Sequence, residues 1–179
     1  MNRADFASVL PKGGVGAEVG VWKGDHAKIL LAATLPKRLY LVDPWEKNDD
    51  NSNRSATVET TQSELDLVCG DVRRAFIEAE NVTIIRRRST DAAASFTTSV
   101  FDWVYIDARH DAQSVCDDLR AWSRVVKADG VLAGHDFNHP AVYSAVVTYC
   151  GKNRCDWLSR SFDSWAISNA KPRAASKNL

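Results

Sequence analysis

The stretch Ala17-Glu18-Val19-Gly20-Val21-Trp22-Lys23-Gly24 constrains this chain more than any other. An apolar strand runs into a glycine turn and a helical segment follows. A second apolar run, Leu39-Tyr40-Leu41-Val42, then ends in Asp43, nineteen residues after Gly24. A doubly wound α/β sheet builds a nucleotide-binding crevice in this way. The glycines let the backbone approach the ligand, and a carboxylate at the next strand tip accepts hydrogen bonds from both ribose hydroxyls. The turn reads E-x-G-x-x-x-G and lacks the third glycine of G-x-G-x-x-G, which lets a helix N-terminus close on a pyrophosphate. That difference favours S-adenosylmethionine over a dinucleotide.

The rest of the chain alternates short β-branched runs with longer helical ones, without an internal repeat. A lead-in helix over residues 3–11 stops near Pro11 and Gly13-Gly14. Strands are expected over 16–21, 38–42, 82–86, 101–106 and 130–134. Helices are expected from Gly24 to Leu35, where Pro36 ends them, over about 55–80, over 91–96, from Asp111 to Val126 and from Pro140 to Cys150. In the Asp111 helix, Val115, Leu119, Trp122 and Val126 form the inward stripe. Phe101 to Ile106 is almost wholly apolar and aromatic, as befits a central strand buried on both faces. Segments 157–160 and 164–167 read as an antiparallel pair closing the sheet. The polar run Glu46 to Arg54 reads as a mobile loop over the cofactor mouth or as a plain surface loop. The expected fold is α/β: a doubly wound, mostly parallel, seven-stranded Rossmann-like sheet with a C-terminal antiparallel hairpin. It forms one domain over 1–169, with 170–179 a frayed tail.

Bulk properties exclude several classes. Lys plus Arg and Asp plus Glu each number 23, so no global field draws in nucleic acid or an anionic membrane. The one basic run, Arg86-Arg87-Arg88, reads as a solvated strand end. No apolar stretch approaches the ~20 residues of a membrane span. Cys69, Cys116, Cys150 and Cys155 lack C-x-x-C spacing, and Asn2 to Phe6 is polar, so a soluble cytoplasmic protein with free thiols is expected.

Ligands of such sheets bind outside the carboxyl ends of the strands. The tips here are Glu18 to Gly24, Asp43-Pro44-Trp45, Arg88-Ser89, Asp107 to His110 and His135-Asp136. Four of the five carry a carboxylate, more than scattered surface acids would supply.

At these residues the chain resembles the class I S-adenosylmethionine-dependent methyltransferases. More narrowly, it resembles the small branch related to catechol O-methyltransferases and to the metal-dependent sugar O-methyltransferases of macrolide tailoring. The resemblance spans about residues 13–168 and is carried by AEVGVWKGDHA, LYLVDPW, FDWVYIDARHD and DGVLAGHDFNHPAV. It implies that Glu18, Gly20 and Gly24 lie against the methionine part and ribose of the cofactor. It also implies that Asp43 holds the ribose diol, that Ser89 lies near the adenine, and that Asp107 faces the methyl-transfer centre. In metal-dependent members the acid at Asp107 and those ending strand five bind Mg²⁺. Here His135-Asp136 stands where two acids, or an acid and an amide, are usual. The implied ligands are then Asp107, Asp136 and His135.

Each residue also has a plainer reading. His110 is a general base near its ordinary pKa of ~6.5, or a helix-start residue bonded to a neighbour. Asp136 binds metal or substrate, or caps the Pro140 helix. His135 is a third ligand or orients Asp136. Glu18 supports the cofactor loop, or is an ion pair or amide bond closing it. Trp22 and Trp45 line the ligand, with at least one in the core, while His26 and His139 read as surface histidines. The function expected is O-methylation of a small hydroxylated acceptor, a sugar or secondary metabolite, by a monomer or homodimer. An NAD(P)-binding dehydrogenase domain and a non-catalytic module of the same fold are the rivals.

Overall fold

A computed structural model describes residues 3–47, 60–97, 99–161 and 163–169. Most of the expected polar loop, the start of the 55–80 helical region and the tail from 170 lie outside the described residues. The strands are β1 (Val15–Val19), β2 (Arg38–Val42), β3 (Val82–Ile85), β4 (Phe101–Ile106), β5 (Val126–Gly134), β6 (Trp157–Arg160) and β7 (Trp165–Ser168). They form one sheet in the order β3-β2-β1-β4-β5-β7-β6. β1 to β5 run parallel, and β7 is antiparallel to both β5 and β6. The order reverses between β1 and β4, which opens a crevice above their carboxyl ends.

The helices are α1 (Arg3–Ala7), α2 (Asp25–Thr34), α3 (Gln62–Ala75), α4 (Ser89–Ala94), α5 (Ala112–Ser123) and α6 (Pro140–Asn153). β4 sits at the centre of two apolar layers. Phe101, Val104 and Ile106 join one cluster with α4, α5 and α6. Trp103 and Tyr105 join the other with α1, α2 and α3. Pleating sends alternate side chains to opposite faces, so an almost wholly apolar strand is what two covered faces require. α3 begins with a reciprocal cap: Thr61 Oγ1 accepts from the Glu64 amide at 3.3 Å, and the Thr61 amide donates to Glu64 Oε2 at 2.7 Å. Among the described residues no helix is long and apolar enough to cross a membrane.

Several boundaries differ from expectation: α1 ends at Ala7 rather than near Pro11, β1 ends at Val19 rather than Val21, and α3 ends at Ala75 rather than near 80. α4 starts at Ser89 rather than Asp91. The Asp111 helix ends at Ser123, and Val126, expected on its inward stripe, instead opens a nine-residue β5. Val126 pairs with Phe101 and Val131 with Trp103, so β5 carries extra residues in between. Asn169 closes this irregularity: its side-chain amide donates to the carbonyls of Ser123, Val126 and Lys127, each at 3.0 Å. A buried amide more than 40 positions away in sequence makes the early strand start affordable.

Candidate active site

The loops at the tips of β1, β2 and β4 are held by backbone contacts. The Gly20 amide donates to the Val42 carbonyl at 2.9 Å, and the Asp107 amide donates to the Val19 carbonyl at 2.7 Å. Gly20 has φ +92, and a Cβ there would lie 1.9 Å from the Asp107 carbonyl oxygen. The glycine therefore makes room for the tip of β4 itself, bringing the first loop against Asp107. Gly24, at φ +80, is the residue from which α2 starts.

Asp43 points inward. Its Oδ2 accepts from the amides of Val21 and Trp22, both at 2.9 Å, and its Oδ1 accepts from Trp45 at 2.7 Å. Burial raises its pKa, outweighing the amides of Trp22, Trp45 and Val21 and the charge of Arg86. Trp45 is buried in the core and donates from Nε1 to the Trp22 carbonyl at 2.9 Å. Arg86 donates to the carbonyls of Pro44 and Trp45 and pairs with Asp66, while Arg88 pairs with Glu46. The basic triplet is thus more than a solvated strand end: Arg86 clamps the Asp43 turn to α3. These arginines line a pocket of about 370 Å³ with Pro44, Glu46 and Gln62.

Glu18 and His26 form a buried pair, His26 Nδ1 lying 2.8 Å from Glu18 Oε1. The expectation of a surface histidine at 26 is corrected. His26 is 7% exposed, its ring centroid 4.4 Å from that of Tyr105, because a carboxylate inside the sheet needs a partner. Ser89 does not present a free hydroxyl. It donates to Asp118 Oδ1 and accepts from Trp122 Nε1 at 2.9 Å. Asp118 falls on the inward stripe between Val115 and Leu119, where a polar residue is out of place, and that is the signal the sequence carries for it.

At the tips of β4 and β5, Asp107, His110 and Asp136 converge, with one donor atom from each within 4.8 Å of the others. His110 Nε2 lies 2.8 Å from Asp136 Oδ2 and 3.7 Å from Asp107 Oδ1. The carboxylates of Asp107 and then Asp136 raise the His110 pKa to about 9, against the burial that would lower it. The expected near-neutral imidazole is thereby corrected: between two carboxylates the ring is an imidazolium at neutral pH. Burial works to raise Asp136, but His110 and His135 together hold its carboxyl well below the usual range. His135 stands outside this group. Its Nδ1 lies 3.2 Å from Asp136 Oδ2 and its Nε2 lies 3.5 Å from Asp163 Oδ2, so both ring nitrogens face carboxylates. That arrangement orients Asp136. His139 is exposed at the start of α6, its ring centroid 6.1 Å from that of His110, so it too borders the site.

The methyltransferase-domain family matches residues 17–137, about two thirds of the chain. No curated protein matches it in sequence. Among solved structures, the precorrin-6y C5,15-methyltransferase of Geobacter metallireducens is similar at TM-score 0.65 and 13% identity, over 92% of this chain and 85% of that one. A Streptococcus mutans protein described as a methyltransferase and solved with SAH is similar at TM-score 0.62 and 12% identity, over 92% and 94% of the two chains. The O-methyltransferase NovP is similar at 0.61 and 15%, over 94% and 80%. The chain belongs to the S-adenosylmethionine-dependent methyltransferase family and has the class I fold.

Proposed function

We propose that this protein transfers the methyl group of S-adenosylmethionine to a hydroxyl of a small molecule such as a sugar or secondary metabolite, with His110 taking the hydroxyl proton. The observation that supports this is the gathering of Asp107, His110 and Asp136 at one crevice edge, against the loop that Gly20 presses onto Asp107. A sulfonium supplies a methyl group with its leaving group already in place. The chain must align the acceptor oxygen, remove its proton and exclude water. Asp107 stands beside the first loop and faces the sulfonium side, and His110 and His139 face the acceptor. The proton on His110 balances Asp107 and Asp136 in the ligand-free protein. His110 gives that proton up as positive charge arrives beside the carboxylates, and the neutral ring is then the base for the acceptor hydroxyl. His135, braced by Asp163, keeps Asp136 aimed at His110.

Two carboxylates and an imidazole within 4.8 Å suit a small divalent cation, so Asp107 and Asp136, with His110 beside them, would hold Mg²⁺. Such an ion, when bound, would lower the pKa of an acceptor hydroxyl.

The test is calorimetric titration followed by label transfer. S-adenosylhomocysteine binds and NAD does not. Methyl-labelled cofactor delivers its label to oxygen in a panel of hydroxylated acceptors, and chelator abolishes the transfer while leaving ligand binding intact. Absence of S-adenosylhomocysteine binding, or label on carbon or nitrogen alone, would overturn the reading.

A further inference from the structure

The outer face of α6 differs from those of the other long helices. From His139 to Thr148 the chain carries no Asp, Glu, Lys or Arg, whereas α5 exposes Arg120 and α3 exposes Asp71, Arg73 and Arg74. A surface helix ordinarily turns an apolar stripe to the core and charged residues to solvent. α6 turns Val142, Ala145, Val146 and Cys150 to the core, yet it also leaves Tyr143 50% and Val147 37% exposed. Single exposed apolar side chains are ordinary on a protein surface. Two of them four residues apart on one helix lie side by side and form a patch.

This patch adjoins the cluster of Asp107, His110 and Asp136. The Tyr143 amide donates to the His139 carbonyl at 2.9 Å, so Tyr143 stands one turn along α6 from His139, whose ring centroid is 6.1 Å from that of His110. Helical side chains lean toward the N-terminus, which here means back toward the Asp136 tip. The Tyr143 ring meets Phe137, the residue after Asp136, at a centroid distance of 5.0 Å. Phe137 meets Trp157 of β6 at 5.6 Å, and the Arg160 guanidinium covers that indole at 4.8 Å. A row of rings therefore runs outward from the edge of the cluster, and Tyr143 is its exposed member. Two side chains are too little for a second copy of the chain, since a stable interface takes about 800 Å² from each partner. A small molecule anchored at His110 reaches them directly: 6.1 Å to His139, then one helical turn of about 5.4 Å. A sugar ring bearing an aromatic substituent covers that distance.

Resting on the O-methyl-transfer reading above, we propose that the acceptor is an amphiphile: its hydroxyl stands at His110, and a flat aromatic body attached to it lies on Tyr143 with its far edge against Val147. The substrate class is then an aromatic-bodied metabolite or its glycoside, and a free sugar is a poor acceptor. Aromatic rings gain from offset or edge-to-face contact beyond the area they bury, and Val147 adds apolar surface. No charge on this stretch of α6 has to be desolvated when the body covers it. Tyr143 sets specificity and takes no part in proton transfer. Its contact is equal in the ground and transition states, so its loss raises KM and leaves kcat alone.

The experiment titrates glucose, phenyl β-glucoside and 2-naphthyl β-glucoside into the protein in the presence of S-adenosylhomocysteine, and follows label transfer from S-adenosylmethionine to the same three. Wild type should bind the naphthyl glucoside about tenfold or more tightly than glucose, with the phenyl glucoside between them. Tyr143→Ala should cut that preference to about twofold and raise KM for the naphthyl glucoside with kcat little changed, whereas Tyr143→Phe should keep the preference. Unchanged S-adenosylhomocysteine affinity in both variants reports that they are folded. Equal wild-type binding of the three probes, or a preference that survives Tyr143→Ala, would overturn the proposal. So would a wild-type dimer in sizing chromatography that Tyr143→Ala dissociates, because the patch would then face a second copy. A Tyr143-dependent preference with no label on oxygen would mean that the O-methyl-transfer reading has failed while the aromatic contact stands.

Discussion

The two halves of the crevice are built from different materials. Over β1 and β2, the parts lock together through the main chain. Asp43 gathers three backbone amides, Trp45 Nε1 takes a backbone carbonyl, and Gly20 leaves no space for a Cβ against Asp107. Over β4 and β5, the site is an arrangement of charged side chains. His110, Asp107, Asp136, His135 and Asp163 are linked through their charged side chains, and the His110 side chain is 36% exposed. Main-chain geometry admits few residue types, whereas partly exposed charges can be exchanged at small cost to the fold. The half over β1 and β2 is therefore the fixed part of this molecule, and the half over β4 and β5 can vary at little cost in stability.

The sharpest way to break this contrast is Gly20→Ala. A Cβ 1.9 Å from a backbone oxygen, at φ +92, should destabilise the protein by about 3 kcal/mol or more. Chemical denaturation that finds the variant within about 1 kcal/mol of wild type would mean the first loop is not locked. Next in size is His110→Ala, expected to lower turnover about 100-fold while S-adenosylhomocysteine affinity stays within about threefold. Parallel loss of binding would join the two halves into one unit.

Asp43→Asn should be intermediate. The amide group replaces one of the two oxygens, so either Trp45 or the Val21 and Trp22 pair loses its acceptor, and the variant should lose about 1–3 kcal/mol of stability together with ligand affinity. Calorimetric melting in the presence and absence of ligand separates the two losses.

Two pH experiments sharpen the picture with smaller effects. The folded pKa of His110 is raised from 6.5 to about 9, so its ion pairs stabilise fully below pH 6.5 and that stability fades as pH rises through 9. The melting-temperature difference between wild type and His110→Gln should shrink over that interval, without added divalent cation. Asp118 has the opposite sense for an acid. Its folded pKa is raised from 3.8 to about 6, so the folded state holds the proton more tightly and stability falls as pH climbs from about 4 to 6. Asp118→Asn should therefore melt higher than wild type at pH 8, by the equivalent of about 3 kcal/mol, with the gain gone at pH 3.5. A variant no more stable at pH 8 would mean the carboxylate is better satisfied than its single serine donor suggests.

Much of this was readable from residue order. Alternating apolar runs and glycine turns dictate a parallel sheet, and strand tips follow directly. Gly20, Gly24, Asp43, Asp107, His110 and Asp136 could thus be named as candidates before their positions in space were known. The reasons behind several of them were not readable. The open space at Gly20 is needed by the Asp107 carbonyl, and Asp43 is an organiser of amides in the protein as it stands. His26 looked like a surface residue because nothing local reveals that it meets Glu18 across the α2–sheet interface.

What the sequence by itself determined is which residues reach the carboxyl edge of the sheet, because strand and helix periods and glycine turns are local properties of the chain. Only the tertiary structure decided which of those residues touch, and hence their charge states. The pairing of His110 with Asp136, the bracing of His135 by Asp163 and the burial of Asp118 behind Ser89 all arise from contacts between segments far apart in sequence. Hydrogen bonds, burial and ion pairing act over a few ångströms, and only folding brings those groups within that range.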